Sequence, residues 1–259
     1  MSFFQDELIF VKRYLETVVV WIGSIGKVLA LSFFYIFVPP YRPRLFFRQL
    51  RFIGNGSLSV VLLTGTFTGM VLTLQIFDVM KKFNAESMVG AVVSVALARE
   101  LGPVLSALMV NARAGSAMSA ELGTMRVTDQ IIALEAMAVN SYQYLISPRI
   151  FAGVVMLPVL TILSNFIGIF GGYLVAVNLM GLDPGLYVSK VENFLTMSDI
   201  LGGLFKSAVF GLVLTQVGSF QGFNTSGGAE GVGRATTTAV VISSVLILAF
   251  DYLITTFLI

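Results

Sequence analysis

The chain has 259 residues, of which 56% are hydrophobic and only 12% are charged, about half the charged fraction of a typical soluble domain. This composition indicates an integral membrane protein, and the net charge of +2 gives no support for nucleic-acid binding. The chain contains neither cysteine nor histidine, which excludes disulfides, thiol catalysis, serine–histidine triads and most zinc or iron sites.

The first segment, MSFFQDELIF, lacks the basic region and the cleavage site of a secretory signal, so we expect it to remain on the cytoplasmic side. The first apolar stretch, residues 18–38, carries Lys27 at its middle. It either crosses the membrane or lies in the inner interface, where Lys27 can extend to the headgroups. We favour the interfacial helix because it keeps Lys12 and Arg13 inside. The prolines of PPYRPR then break the chain.

Five further apolar stretches are long enough to cross a hydrocarbon layer of about 30 Å, which takes about 20 residues. They cover residues 53–77, 87–111, 150–178, 200–220 and 239–259. We therefore predict an all-α integral membrane protein, with an interfacial helix and connector over 1–44 and a transmembrane domain over 45–259. The long connection 112–149 predicts a cytoplasmic helix between the second and third crossings. The connection 181–199 has room for a short helix between the third and fourth.

The distribution of basic residues orients the chain, since cytoplasmic loops are enriched in lysine and arginine. If 53–77 leaves the cytoplasm and the later segments alternate, the outer side holds only Lys81, Lys82 and Lys190. The inner side then holds Lys12, Arg13, Arg42, Arg44, Arg48, Arg51, Arg113, Arg126, Arg149 and Arg234. This orientation makes 112–149 cytoplasmic and places the C-terminus outside.

Small residues recur at the spacing that lets helices approach closely in lipid. Gly65 and Gly69 form one such pair in GTFTG, and Gly168 and Gly172 form another in GIFGG. We expect both pairs to serve packing between helices of this chain.

Arg99 and Glu100 lie near the middle of the second crossing, about 18 Å along the helix. A charge facing lipid there costs at least about 2.5–3.5 kcal/mol, so both must face protein, water or a polar ligand. Neighbouring helical residues project about 100° apart, so the two need not pair with each other. They either form structural ion pairs with other helices or line a central cavity, where the arginine could bind a phosphate.

One helical face of the first crossing is apolar almost throughout and continues past its outer end. Its residues are Leu72, Gln75, Ile76, Val79, Met80 and Phe83. The face either packs within the chain or, where lipid no longer covers it, contacts another subunit or an acyl chain.

In the cytoplasmic connection, VTDQIIALEAMAV predicts a short amphipathic helix. Its apolar face is made of Val127, Ile131, Leu134 and Ala138. Such a helix either docks a cytoplasmic protein or packs against the base of the bundle.

The chain has no G-x-x-x-x-G-K-[ST] phosphate loop, so we expect that it is not an ATPase itself. An ion-driven secondary transporter of an amphipathic substrate is the alternative. It is less favoured because we find no inverted repeat and few intramembrane acids beyond Glu100 and Asp251. An intramembrane enzyme is disfavoured because Lys206, Ser207 and Asp251 appear isolated, with no motif around them.

The segment LARELGPVLSALMVNARAGSAMSAELGTMRVTDQIIALEAMAV, followed by YLISPRI, closely resembles the MlaE-type permeases. These are the membrane subunits of ABC transporters that move phospholipids between the two membranes of diderm bacteria. The resemblance continues in GTFTGMVLTLQ, GIFGGYLVAV and GRATTTAVV and covers about residues 45–259.

The resemblance implies a multi-pass protein of the bacterial inner membrane that forms a homodimer with a phospholipid cavity at its interface. It implies two cytoplasmic ATPase subunits, which bind the ATP and magnesium, so that this chain binds no cofactor or metal itself. It further implies a periplasmic, MlaD-like MCE-domain hexamer and leaves room for a small STAS-domain subunit.

Candidate lipid-contacting residues follow from matching motif positions and from the apolar face: Leu72, Gln75, Ile76, Val79, Met80, Phe83, Arg99, Glu100 and Leu101. Candidate ATPase-coupling residues fall in the region that resembles the coupling helix: Glu121, Arg126, Asp129 and Glu135.

Overall fold

The computed structural model describes residues 42–258 without a break, together with residues 23, 26–28, 30–32, 34, 35, 38 and 39. These residues are mainly helical, and no β-strand occurs among them. The helices are α1 (Pro43–Lys81), α2 (Glu86–Val127), α3 (Gln130–Ala136), α4 (Tyr142–Asn178), α5 (Pro184–Phe194), α6 (Met197–Phe223) and α7 (Gly228–Leu258). Of the described helices, α1, α2, α4, α6 and α7 are long and apolar enough to cross a membrane. This confirms the all-α membrane fold.

The predicted crossings are shorter than the helices that contain them. Helix α1 has 39 residues, or about 58 Å at 1.5 Å per residue, whereas the hydrocarbon layer is about 30 Å thick. It begins at Pro43, where the missing N–H of proline costs no helical hydrogen bond. Because the backbone hydrogen bonds continue beyond the apolar run, α1 also includes Arg44, Arg48 and Arg51.

Helix α2 contains two π-turns, first at Leu97–Leu101 and then at Asn111–Gly115, and each accommodates one extra residue. In the second of them, the Asn111 Nδ2 group donates to the Val240 carbonyl at 3.0 Å, and the Arg113 Nη1 group donates to the Phe52 carbonyl at 2.5 Å. This turn therefore joins α2 to both α7 and α1.

The described part of the 18–38 segment lies at one end of the bundle. Its Val28 is buried in an apolar cluster that includes Ile131 of α3. The Ser147 hydroxyl of α4 donates to the Ser32 carbonyl at 2.9 Å. The described residues of this segment therefore pack against α3 and the start of α4. The preceding residues 1–22 lie outside the described part.

The two glycine pairs pack α1 against α4, as the spacing predicts. A Cβ added at Gly69 would collide with the Gly168 carbonyl oxygen, and one added at Gly65 would lie 2.7 Å from the Ser164 hydroxyl. The two backbones approach so closely that no side chain fits between them.

Replacing Gly69 with alanine is therefore expected to lower the free energy of unfolding by about 1–3 kcal/mol, because α1 and α4 must separate. Thermal unfolding of the purified chain in detergent measures the effect. Gly233 of α7 provides the control, because a Cβ there meets no atom within 4 Å. Gly233→Ala should be neutral or slightly stabilising, and equal loss in both variants would contradict close packing at Gly69.

Candidate functional site

Arg99 and Glu100 lie in the first π-turn of α2 and pair with different helices. The Arg99 Nε group donates to Asp199 Oδ1 at 2.5 Å, and the Lys206 ammonium donates to Glu100 Oε2 at 2.6 Å. Adjacent residues thus reach two separate partners on α6, consistent with their expected angular separation.

Asp199 holds Arg99 from the first turn of α6. Its second carboxylate oxygen accepts from the Thr196 backbone N–H at 2.9 Å and from the Thr196 hydroxyl at 2.8 Å, and the Asp199 backbone N–H donates to the Thr196 hydroxyl oxygen at 3.3 Å, which completes a capping box. The Asp199 side chain is 3% exposed, whereas that of Arg99 is 55% exposed. In the described part of the chain, Asp199 is the only hydrogen-bond partner of the guanidinium, which has five N–H donors in all. Most donors of Arg99 therefore remain open to a ligand.

Lys206 connects three helices at a point that is almost closed to solvent. Its side chain is 3% exposed. The ammonium donates to the Thr255 hydroxyl at 2.7 Å and lies 3.1 Å from Asp251 Oδ1, in addition to its bond with Glu100. One lysine thus compensates two carboxylates, one from α2 and one from α7.

These side chains surround a cavity of about 310 Å³. It is lined by Arg99, Glu100, Ser198, Asp199, Gly202, Gly203, Lys206 and Thr255. The two interpretations of Arg99 and Glu100 are therefore compatible, since both residues form ion pairs with other helices and line a cavity. No group of His, Cys, Asp or Glu within the described residues is placed to hold a metal ion.

The expectation that Lys206 and Asp251 are isolated is wrong, since both belong to the cluster with Glu100, and Asp199 was not predicted as a partner of Arg99. Asp199 lies in the connection before the fourth predicted crossing. Lys206 and Asp251 each lie within a predicted apolar crossing, as Glu100 does. Because an unpaired charge is costly in the membrane, charges on separate crossings should meet. That cost indicates that each of these charges has a partner on another helix, but it does not specify which helix.

The predicted apolar face of α1 divides into two sets. Leu72, Ile76 and Met80 are half-buried and pack with Leu101 against a cluster built around Phe77. The other three residues, Gln75, Val79 and Phe83, are exposed. The prediction of a continuous helical face as far as Phe83 is wrong, because α1 ends at Lys81 and Asn84 turns the chain with a φ of 53°.

An open groove of about 480 Å³ lies beside α1 and α2. Its lining includes three predicted residues, Leu72, Gln75 and Leu101, together with Phe67, Thr68 and Val71. Leu101 follows Glu100 in the same π-turn. One turn of α2 thus contributes to both the charged cavity and the apolar groove.

The predicted coupling residues occupy different environments. Glu121 Oε2 lies 2.8 Å from Arg149 Nη2, and Glu135 accepts from the Ser141 hydroxyl at 2.9 Å. The Arg126 guanidinium lies 5.9 Å from the centroid of the Phe223 ring. Asp129 is exposed, has a φ of 56° and is the N-cap residue directly before α3.

Helix α3 buries Ile131 and exposes Ile132, while Met137 is exposed immediately after its end. The predicted apolar face does not extend to Ala138, which is exposed at a φ of 58° after the helix ends. The helix is therefore attached to the bundle on one side and open on the other.

Comparisons with known proteins agree with this architecture. The model of a family described as Permease MlaE matches residues 46–257. A probable ABC transporter permease protein of Rickettsia bellii is 43% identical over 235 residues, which cover 90% of this chain and 91% of the relative. The intermembrane phospholipid transport system permease protein MlaE of Haemophilus influenzae is 43% identical over 209 residues, 80% of each chain. The chloroplastic protein TRIGALACTOSYLDIACYLGLYCEROL 1 of Arabidopsis thaliana is 36% identical over 210 residues, 81% of this chain and 60% of the relative.

Proposed function

The chain belongs to the MlaE permease family, and from this premise we propose that it moves phospholipids between the inner and outer membranes of a bacterium as the permease subunit of an ABC transporter. It is a multi-pass membrane protein, and its relatives are named as ABC transporter permeases. In this proposal the chain lies in the inner membrane and performs no catalysis. A separate ATPase subunit binds ATP and magnesium and drives the conformational cycle.

The observation that supports a phospholipid substrate is the junction between the charged cavity and the apolar groove. A phospholipid combines an anionic phosphate with long acyl chains. The open donors of Arg99 suit the phosphate, and the groove beside Leu72 and Leu101 suits an acyl chain. Glu100 and Lys206 hold the turn that separates the two sites.

A homodimer would close the groove, because its lining residues Phe67 and Val71 are strongly exposed in the single chain. Apolar surface of this extent normally meets lipid or a second subunit. We propose that two copies face each other here and enclose the substrate between them. The exposed residues Gln75, Val79 and Phe83 would line the outer part of that cavity.

The two ends of the bundle suit different partners. At the end with α3, the proposal places two ATPase subunits, with a small STAS-domain subunit as an accessory. Glu121, Arg126, Asp129 and Glu135 would contribute to that contact or support it. At the opposite end, α5 and the loop with Phe83 would face a periplasmic MCE-domain hexamer.

The exposed side of α3 provides a test of the ATPase contact. Ile132 is 51% exposed, so Ile132→Asp should leave the fold intact but place an uncompensated charge in an apolar interface. We expect the amount of ATPase that co-purifies with the tagged chain to fall about tenfold. Val188 of α5 is 45% exposed at the other end, and Val188→Asp is the matched control. Equal ATPase retention in both variants would contradict docking at α3.

An ion-driven secondary transporter of an amphipathic substrate is the second candidate. It is favoured by one observation, that the cluster around Lys206 holds two carboxylates for one ammonium. Proteoliposomes separate the two functions. The ABC transporter transfers a fluorescent phospholipid only with the ATPase and ATP, whereas the secondary transporter would do so under a proton or sodium gradient without either.

A further inference from the structure

A second cleft, of about 560 Å³, opens at the end of the bundle where α2 ends and α4 begins. Its polar lining includes Arg48 and Gln49 of α1, Glu121 of α2 and Arg149 of α4. The cleft is separate from the cavity at Arg99 and shares no lining residue with it.

Two buried side chains of this cleft have polar atoms that are not satisfied. Arg149 is 3% exposed at its side chain; its Nη1 group donates to the Leu145 carbonyl at 2.6 Å and its Nη2 group pairs with Glu121. Its Nε group has no hydrogen-bond partner in the described part of the chain, and neither has the Oε1 atom of Gln49. Such groups cost stability unless a ligand, a water or an ion satisfies them. Both side chains line the cleft, and each must turn from its present position for its unsatisfied atom, a donor in Arg149 and an acceptor in Gln49, to reach a guest.

The charge and position of the cleft indicate what the guest is. Arg48 is 70% exposed at its side chain and lies 3.7 Å from Glu121, so two arginines face one carboxylate. The cleft lies within the first turns of α1, near the exposed residues Arg44 and Arg51. The charge distribution predicts that this end faces the cytoplasm, at the level of the lipid headgroups.

Part of the cleft lining is apolar. Leu45, Leu145 and Tyr144 line it. On α1, Phe47 lies between Leu45 and Arg48 and is 65% exposed. On α4, Phe151 lies two residues after Arg149 and is 42% exposed. A guest with an anionic head in the cleft would therefore find apolar surface for its tail.

We propose that this cleft binds the headgroup of a second phospholipid, taken from the cytoplasmic leaflet. The phosphate accepts hydrogen bonds from Arg48 and from Nε of Arg149, while a headgroup hydroxyl or ammonium donates to Gln49 and Glu121. The ligand is a phospholipid whose headgroup carries a hydrogen-bond donor, such as phosphatidylglycerol or phosphatidylethanolamine. The proposal rests on the proposed function for its choice of a phospholipid. An acidic loop of a partner protein is less favoured, since the unsatisfied atoms belong to buried side chains of the cleft, whereas α3 offers the open docking surface.

Site-directed photo-cross-linking in native membranes tests this directly. The full-length chain carries Tyr144→p-benzoylphenylalanine, and mass spectrometry identifies what attaches to it on illumination. We expect phosphatidylglycerol or phosphatidylethanolamine. Gln49→Met and Arg48→Gln should each lower the lipid adduct about fivefold or more, since each removes a hydrogen bond to the ligand. Arg51→Gln is the matched control, because this exposed arginine does not line the cleft. Equal loss in the control, or a polypeptide adduct, would overturn the proposal.

Three further measurements separate the remaining explanations. Excess soluble glycerol 3-phosphate should leave the lipid adduct unchanged. If it displaces the adduct, the cleft is a site for free phosphate esters and the proposal is overturned.

Without lipid, Gln49→Met should unfold at an equal or higher temperature, because it removes an unsatisfied acceptor. A merely structural role for Gln49 predicts a lower temperature. The adduct should also persist in Arg99→Glu, so failure of the transport function and failure of this site are distinguishable.

Discussion

Replacing Lys206 with methionine is expected to lower the free energy of unfolding by about 1–3 kcal/mol and to abolish phospholipid transfer. The substitution keeps most of the side-chain volume but removes the ammonium that lies between Glu100 and Asp251. Two partly exposed carboxylates from different helices would then face each other without the ammonium between them; the Glu100 side chain is 40% exposed and that of Asp251 is 21% exposed. Breaking a buried pair from one side leaves an uncompensated charge, which is far costlier than removing both partners.

Thermal unfolding in detergent and phospholipid transfer by proteoliposomes measure the two effects. Lys190→Met is the control, because Lys190 lies outside the cluster, on α5, with its ammonium 5.8 Å from the centroid of the Phe194 ring. The triple variant Glu100→Gln, Lys206→Met and Asp251→Asn removes the charges together and should recover most of the stability. Should Lys206→Met unfold at the wild-type temperature, the cluster would not hold the three helices together.

Arg99→Glu is expected to lower phospholipid transfer by about tenfold or more while the protein still inserts and folds. Arg99 is 55% exposed, but its partner Asp199 is 3% exposed, so the reversal should cost about 1–3 kcal/mol of stability. The new carboxylate would, however, repel both Asp199 and the phosphate of the substrate. Function should therefore fall much more than stability.

Arg99→Lys is the matched control for this variant. It keeps the positive charge but loses the forked donors, so transfer should be reduced less than in Arg99→Glu. Glu100→Arg tests the neighbouring position, where a second cation beside Lys206 should also abolish transfer. Normal transfer by both charge reversals would show that the charges of the cavity serve packing alone.

The helical membrane fold could be predicted because it depends on local properties. Apolar runs identify the five crossings, and the glycine spacing predicts that Gly65 and Gly69 pack closely. The helix ends were less predictable. Pro43 begins α1 well before the apolar run, and Asn84 turns the chain so that Phe83 leaves the predicted helical face. Backbone hydrogen bonding and single left-handed residues decide these ends, and hydropathy does not report on either.

The candidate site was predictable only in part. The cost of charge in a membrane singled out Arg99 and Glu100, but their partners lie 100 and 106 residues further along the chain. Such pairs depend on which helices are neighbours, which one sequence does not specify. The π-turn at Leu97–Leu101 was also unpredictable, since its five residues would equally suit an ordinary helix. Glu121 was predicted as a coupling residue, yet its partner Arg149 reveals a separate cleft.

Affinity purification of the tagged chain from its native membrane in a mild detergent tests the central claim most directly, with the bound proteins identified by peptide mass spectrometry. An ABC phospholipid permease should retain an ATPase with a phosphate loop, together with an MCE-domain protein. A chain that repeatedly purifies without any ATPase would contradict the claim and favour the ion-driven transporter.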